Sequence, residues 1–285
     1  MTPKTDNFFA LTCLLVLLFL SLTATGQSLR VATYNVRYDN KSDTANAWNK
    51  RLPVLAGLIQ FHDFDIVGTQ EVLQHQVEDM QKQLPAYGHI GVGRDDGKAG
   101  GEFSGIFFKK DKFTLLQQGT FWLSPTPDKP SKGWDAALPR ICTWGQFRDN
   151  ASGRTFYFFN THFDHQGEKA RNESAKQLLS RIRQLPAGTP VILAGDFNFD
   201  QNSPNYQLLN DSKTLQDAYQ QARVRFAPKG TFNGFKVSGT SDSRIDHIFL
   251  SKDMEVKRYG ILTYLYGDGK LPSDHYPVMV ELEMK

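Results

Sequence analysis

Runs rich in β-branched and aromatic residues recur along the chain as LRVATYNV, DIVGTQEV, FSGIFFKK, RICTWGQFRD, RTFYFFNTHF, VILAGDFN, RIDHIFLS and YPVMVELEM. Each has the length and composition of a strand that is buried on at least one face. Between them lie three helical patterns, AWNKRLPVLAGLIQFH, LQHQVEDMQKQL and EKARNESAKQLLSRIRQL. The last aligns Ala175, Leu178, Leu179, Ile182 and Leu185 on one stripe. A helix with one apolar stripe covers one face of one sheet. Burying this many strands therefore calls for an α/β fold in which two mixed β-sheets pack face to face with helices outside, a four-layered αββα sandwich. TWGQFRD and RTFYFFN, joined by NASG, read as an antiparallel hairpin. No repeat, low-complexity tract or long linker follows residue 27, so residues 27–285 are expected to form one domain. The longest irregular stretch is the Pro-rich LSPTPDKPSKGWDAALPR at 123–140, and a loop of that size in a compact domain is usually functional.

The first residues differ from the rest. Lys4 precedes the apolar run FFALTCLLVLLFLSL, and Ala24-Thr25-Gly26 supplies small residues for a peptidase, the pattern of a secretory signal over residues 1–26. The run holds about 15 residues, short of the roughly 20 that span a bilayer. Cys13 lies inside it without a small-residue lipobox. Removing the segment leaves Cys142 alone, so neither an internal disulfide nor a cysteine zinc site is available. These features fit an exported protein, periplasmic or extracellular, monomeric and without a stable membrane span after cleavage. A formal net charge of +3 is too mild for a non-specific nucleic-acid coat.

Polar residues gather at the ends of the predicted strands: Asn35, Glu71, Glu102, His162, Asp164, Asp196, Asn198, Asp246, Asp274 and His275. Singly, an Asp after a strand is a turn or cap residue, and a lone His beside an aromatic strand is a hydrogen-bonded core residue. Together they are a chemical set. The Asn, Glu and Asp side chains offer hard oxygen ligands without thiolates, which selects Mg²⁺ or Mn²⁺ over zinc. The two histidines, each with a carboxylate candidate to orient it, can donate to phosphate oxygens. Asp196 and Asn198, two residues apart, can take a proton from a water and hold that water in place. These are the parts of phosphate-ester hydrolysis.

The ordered motifs TYN, QE, NTHFDH, GDFN, RIDHIF and SDHYPV resemble the endonuclease/exonuclease/phosphatase superfamily of DNase I-like, metal-dependent phosphoesterases, over nearly all of the chain after residue 27. The resemblance implies the four-layered fold. It also implies Asn35 and Glu71 at the metal, with Asp274 close to it. His162 then faces the scissile phosphate with Glu102 as its acid partner, Asp196 and Asn198 activate water and bind phosphate, and Asp246 pairs with His275.

Within that superfamily the spacing of TQEV, GIFFKK, NTHFDH and PSDH is most similar to deadenylase-like 3′ to 5′ RNA exonucleases, which makes nucleic acid the expected partner. Trp122, Trp134 and Arg140 near the long loop, with Asp164, are the candidate substrate contacts. Both tryptophans are equally suited to anchoring the loop by packing. Two other readings stand beside the nuclease: a phosphatase or phospholipase-C-like hydrolase acting on a lipid or sugar phosphate, and an inactive binding protein that keeps the fold.

Overall fold

The computed structural model describes residues 28–238 and 241–284, and the signal segment expected over 1–26 lies outside them. The strands are β1 (Leu29–Asn35), β2 (Ile66–Val72), β3 (Tyr87–Ile90), β4 (Phe103–Lys109), β5 (Phe113–Trp122), β6 (Ile141–Asp149), β7 (Thr155–His162), β8 (Val191–Asp196), β9 (Gln216–Asp217), β10 (Val224–Phe226), β11 (Asp246–Leu250), β12 (Met254–Ile261) and β13 (Val278–Met284). The helices are α1 (Trp48–Phe61), α2 (Gln74–Gln83), α3 (Glu168–Arg183), α4 (Pro204–Asn210) and α5 (Ala218–Gln221). All the strand and helix segments expected from the sequence are present.

One sheet has the order β10-β12-β13-β1-β2-β4-β3 and the other β5-β6-β7-β8-β11-β9. Both are mixed: β1 runs parallel to β2 and β7 parallel to β8, while their other neighbours are antiparallel. The predicted hairpin is β6-β7.

Side-chain alternation divides the core into three apolar layers. Between the sheets, Val31, Ile66, Ile106 and Val280 from one meet Phe147, Phe158, Ile192 and Ile248 from the other. The neighbouring residues point the opposite way. Ala32, Val67 and Phe107 pack under α1 and α2, where Leu55, Ile59 and Met80 cover them. Phe159, Leu193 and Phe249 pack under Leu178, Leu179 and Ile182 of α3. Three apolar interfaces between four layers make the αββα sandwich.

At one end the inter-sheet layer turns polar. Gly68 has no side chain, and the Asn160 amide fills the space, since a Cβ there would lie 2.6 Å from Asn160 Oδ1. Asn160 Nδ2 donates to Thr69 O (2.9 Å) and Gly105 O (2.8 Å), and Gln70 Nε2 donates to Asn160 Oδ1 (2.6 Å) and Thr33 Oγ1 (3.0 Å). This buried amide network joins the sheets by hydrogen bonds where both begin to turn into the loops that carry the site.

Candidate active site

Strand register alone assembles the centre of the site. In the β7-β8 pair His162 stands opposite Asp196, and in the β8-β11 pair Asp246 stands opposite Asp196. The three residues share the inward parity of Phe158, Ile192 and Ile248, so they form one row across adjacent strands facing the other sheet. Asn35 ends β1 with the same inward parity and reaches across, its Nδ2 donating to Asp196 Oδ2 at 3.0 Å. His162 Nε2 and His275 Nε2 lie 3.6 and 3.7 Å from that same oxygen. Asp196 Oδ1 accepts the Asn198 backbone N–H at 3.0 Å. His275 Nδ1 and Asp246 Oδ2 are hydrogen-bonded at 2.9 Å. Asp196 is thus the hub of a buried cluster.

Burial governs the protonation of this cluster. It raises the Asp196 carboxyl to about 7, with the Asp246 charge adding to the effect. Burial opposes a charge on His275, but the carboxylates of Asp246 and Asp196 outweigh it and raise that imidazole well above its usual range. His162 is pushed the other way, by burial and then by the nearby Arg140 and Arg94. The two imidazoles are thus shifted in opposite directions.

The opposite wall departs from regular strand geometry. Glu71 lies where the β2-β4 register shifts, between Thr69 and Val72, and has φ 61°. By strand alternation its side chain would join Val67 under the helices. The left-handed backbone re-aims it, so that its carboxylate accepts Asn35 Nδ2 (3.1 Å) and the Tyr38 N–H (3.3 Å). Asp274 is buried, which raises its carboxyl. Arg37 Nη1 lies 3.9 Å from Glu71 Oε2 and 3.7 Å from Asp274 Oδ2. The fully buried Arg51 fixes this wall, donating to Val36 O, Pro272 O and Arg37 O. Ser273 Oγ also donates to Asn35 O at 2.7 Å.

Asn35, Glu71 and Asp274 are brought to one wall, and their all-oxygen donor set suits a hard divalent cation. The Glu71 and Asp274 carboxylates share Arg37 between them. Asp196, Asp246 and His275 also offer ligand atoms within 4.8 Å of one another, and they are the group of three acids or histidines close enough to hold an ion among the described residues. Within that trio His275 and Asp246 are hydrogen-bonded to each other, an imidazole–carboxylate pair beside the Asp196 carboxylate.

A third side is built from arginines. Arg94 grips Glu102 with both terminal nitrogens, at 2.7 and 2.9 Å. His162 Nδ1 is 3.9 Å from Glu102 Oε2, beyond hydrogen-bond distance, and has no partner. Glu102 therefore pairs first with an arginine, which the sequence reading did not anticipate. Asp164 differs more from expectation. Its carboxylate accepts the N–H groups of Ala137, Leu138, Gln166 and Gly167 and the Arg140 Nε. Burial opposes its charge, yet these backbone donors and Arg140 hold it well below the usual carboxylate range. It organises the end of the long loop, its two oxygens taken up by these donors, and it does not line the pocket. Arg140 does line the pocket, with Nη2 3.0 Å from His165 Nδ1.

Trp122 follows the packing alternative. Trp122 is 6% exposed and donates Nε1 to Arg94 O at 2.7 Å, while Trp134 is half-buried and outside the pocket lining.

The pocket itself, about 590 Å³, brings Glu71, Glu102, Arg140, His162, Asp196, Asn198, Asp274 and His275 to one cavity. Its wall also includes Arg37, Tyr38, Leu138, His165, Phe232 and Ile245, which were not singled out from the sequence. His165 was legible inside NTHFDH. Arg37 and Tyr38 follow TYN directly, but nothing in their pattern separates them from solvated loop residues.

A profile of the Endonuclease/Exonuclease/phosphatase family matches residues 32–275. An endonuclease/exonuclease/phosphatase family protein from Bacteroides thetaiotaomicron, known by crystal structure, is 50% identical with a TM-score of 0.89, covering 91% of this chain and 99% of that one. A mannosyl-6-phosphatase from Bacteroides thetaiotaomicron VPI-5482 is 51% identical with a TM-score of 0.88, covering 89% and 99%. An uncharacterized protein of Acanthamoeba polyphaga mimivirus, L388, is 29% identical over 253 residues, 83% of this chain and 92% of that one.

Proposed function

The chain belongs to the endonuclease/exonuclease/phosphatase family, and we propose that it is an exported, Mg²⁺- or Mn²⁺-dependent hydrolase that removes phosphate from a sugar phosphate monoester. The observation that carries this reading is the cluster centred on Asp196, which meets Asn35, His162 and His275 at one carboxylate oxygen beside the Glu71–Asp274 wall. The monoester preference is supported by the 51% identity to a mannosyl-6-phosphatase. It is also supported by a pocket of about 590 Å³, within the roughly 300–1,000 Å³ of small-molecule sites.

In this reading Asp196, with its raised proton affinity, takes the proton of the attacking water. Asn198 and the charged His275 hold phosphoryl oxygens, and His162 and Arg140 face the same group from the far side. A divalent cation held by Asn35, Glu71 and Asp274 would neutralise charge on the phosphate and the departing oxygen. The P–O bond to the sugar breaks, the proton taken up by Asp196 returns through solvent to the departing sugar oxygen, and the products are the free sugar and inorganic phosphate. Export rests on the signal pattern of residues 1–26.

A nuclease reading draws on the same cluster but needs surfaces on which bases stack. Trp122 and Trp134 do not line the pocket, which favours the monoester. The test is a panel of mannose 6-phosphate, glucose 6-phosphate, bis(p-nitrophenyl) phosphate and 5′-labelled single-stranded RNA, each with Mg²⁺ and with EDTA. Metal-dependent phosphate release from the hexose phosphates is expected to exceed cleavage of the diesters. Preferential shortening of the RNA would overturn the monoester reading in favour of the nuclease.

A further inference from the structure

Ten of the fourteen residues around the pocket are charged or carry imidazole or amide groups, and the apolar surface comes from Leu138, Phe232 and Ile245, with Tyr38 beneath Arg37. Phe232 is the unusual member. It is 49% exposed, although Thr231 and Asn233 on either side are buried.

Those neighbours are fixed to the reacting centre by hydrogen bonds. Thr231 Oγ1 accepts the N–H groups of Ile245 (2.9 Å) and Asp246 (3.1 Å), and Thr231 O accepts the Tyr276 N–H at 2.7 Å. The Asn233 N–H donates to Asp274 O (2.8 Å), and its Nδ2 donates to Ser273 O (3.2 Å). Phe232 therefore rides on a backbone clamped to the segments that carry Asp246, Asp274 and His275. Its ring lies 5.0 Å from the His275 ring at 67°, edge to face. An exposed phenyl on a mobile loop would need no explanation. An exposed phenyl rigidly held at the mouth of a polar pocket, in contact with the phosphate-facing histidine, keeps open an apolar face that costs free energy in water.

We propose that Phe232 is the specificity-determining platform for the organic half of the substrate, stacking on the C–H face of a single pyranose ring whose phosphate lies at His275. The inference rests on the sugar-phosphatase reading above and names the group that selects for the sugar. Leu138, 39% exposed and held by the Asp164 carboxylate through its N–H, supplies apolar surface from the long loop. A nucleic-acid track would need a succession of such rings, whereas among the described lining residues the exposed ring is that of Phe232, with Tyr38 half-buried beneath Arg37. Sugar rings meet aromatic faces through their C–H groups, and the contact is expected to contribute about tenfold in binding, the upper order of an aromatic ring pair.

The experiment compares kcat/KM for mannose 6-phosphate with kcat/KM for ethyl phosphate, which has a phosphate and no ring, in wild type, Phe232→Ala and Phe232→Trp. In Phe232→Ala the ratio of the two is expected to fall about tenfold, chiefly through KM for the sugar phosphate, and Phe232→Trp is expected to retain it. An unchanged ratio in Phe232→Ala overturns the platform, including the case where both substrates lose equally because the ring only supports His275. A wild-type protein inert on the hexose phosphates but active on RNA overturns the phosphatase reading itself. The two failures are therefore read from different enzymes.

Discussion

On the six-stranded sheet, His162, Asp196 and Asp246 occupy ordinary strand positions, placed side by side by pairing register. On the facing sheet, Glu71 reaches the site only through a bulge and φ 61°, Arg37 beside it also has φ 61°, and Asp274 sits in the turn before β13. A non-glycine residue in that region costs about 1–3 kcal/mol and persists only where its surroundings enforce it. Here the enforcing groups are Asn35 Nδ2, the Tyr38 N–H and the buried Arg51 clamp. The contrast separates two ways of reaching one pocket. Residues of inward parity on paired strands are aligned by the ladder without strain. A residue of the opposite parity, such as Glu71, reaches it only where a bulge breaks the alternation.

The largest effect should come from the regular wall. Asp196→Asn is expected to lower kcat by roughly 10²–10⁴ while thermal unfolding stays near that of wild type, since the amide can still occupy the same space. Turnover above a tenth of wild type would remove Asp196 from the role of base. The same variant separates the two walls. Its Mg²⁺ concentration for half-maximal activity should stay within a few-fold of wild type, and a large shift would mean that the Asp196–Asp246–His275 trio holds the cation instead.

The strained wall should answer in the other variable. Glu71→Gln keeps the shape and removes the charge, so the Mg²⁺ or Mn²⁺ needed for half-maximal activity is expected to rise by at least the roughly 10–100-fold seen for lost outer-shell partners. Titrating metal into EDTA-stripped protein measures it. An unchanged metal requirement would take Glu71 out of the ligand set and leave its strain without a function.

The regular wall was also the legible one. His162 and Asp196 end apolar runs, and Asp246 begins one, whose alternation gives their facing directly, and the fold follows from the same runs. Glu71 could be named but not aimed, because a bulge has no sequence signature beyond a residue out of phase. β5 escapes the pattern because Leu116-Gln117-Gln118 lies exposed at its centre and a register shift follows Leu115. β12 interleaves Glu255, Lys257 and Arg258 with its buried residues, and a shift between Val256 and Arg258 breaks its period of two. The pairing of Arg94 with Glu102 closes the connection between β3 and β4, which no apolar pattern marks, and that of Arg140 with Asp164 joins segments that the folded sheet brings together. That is why Asp164 was read as a substrate contact when its oxygens serve the loop.

The amide network beneath the site gives a smaller, structural test of how tightly the two walls are coupled. Gly68→Ala would set a methyl 2.6 Å from Asn160 Oδ1, displacing the amide that bonds Gln70, Thr69 and Gly105. Losing part of a buried network should cost about 1–3 kcal/mol in chemical denaturation. Because Gln70 adjoins Glu71 and Asn160 lies two residues before His162, activity should fall by more than the unfolded fraction explains. A loss of stability with full specific activity in the folded fraction would show that the walls are set independently.

The smallest effect concerns the long loop. Trp122 donates to Arg94 O at 2.7 Å from a nearly closed position, and Arg94 in turn holds Glu102. Trp122→Phe keeps the ring packing and deletes the donor, leaving a buried carbonyl short of one partner at a cost of about 1 kcal/mol. Since the indole faces Arg94 and not the cavity, the relative rates on mannose 6-phosphate, ethyl phosphate and RNA should be preserved while the denaturation midpoint drops. A selective loss on RNA would instead mean that the loop opens to present this indole to a base. The packing assignment would then fail, and the balance between the monoester and nuclease readings would reverse.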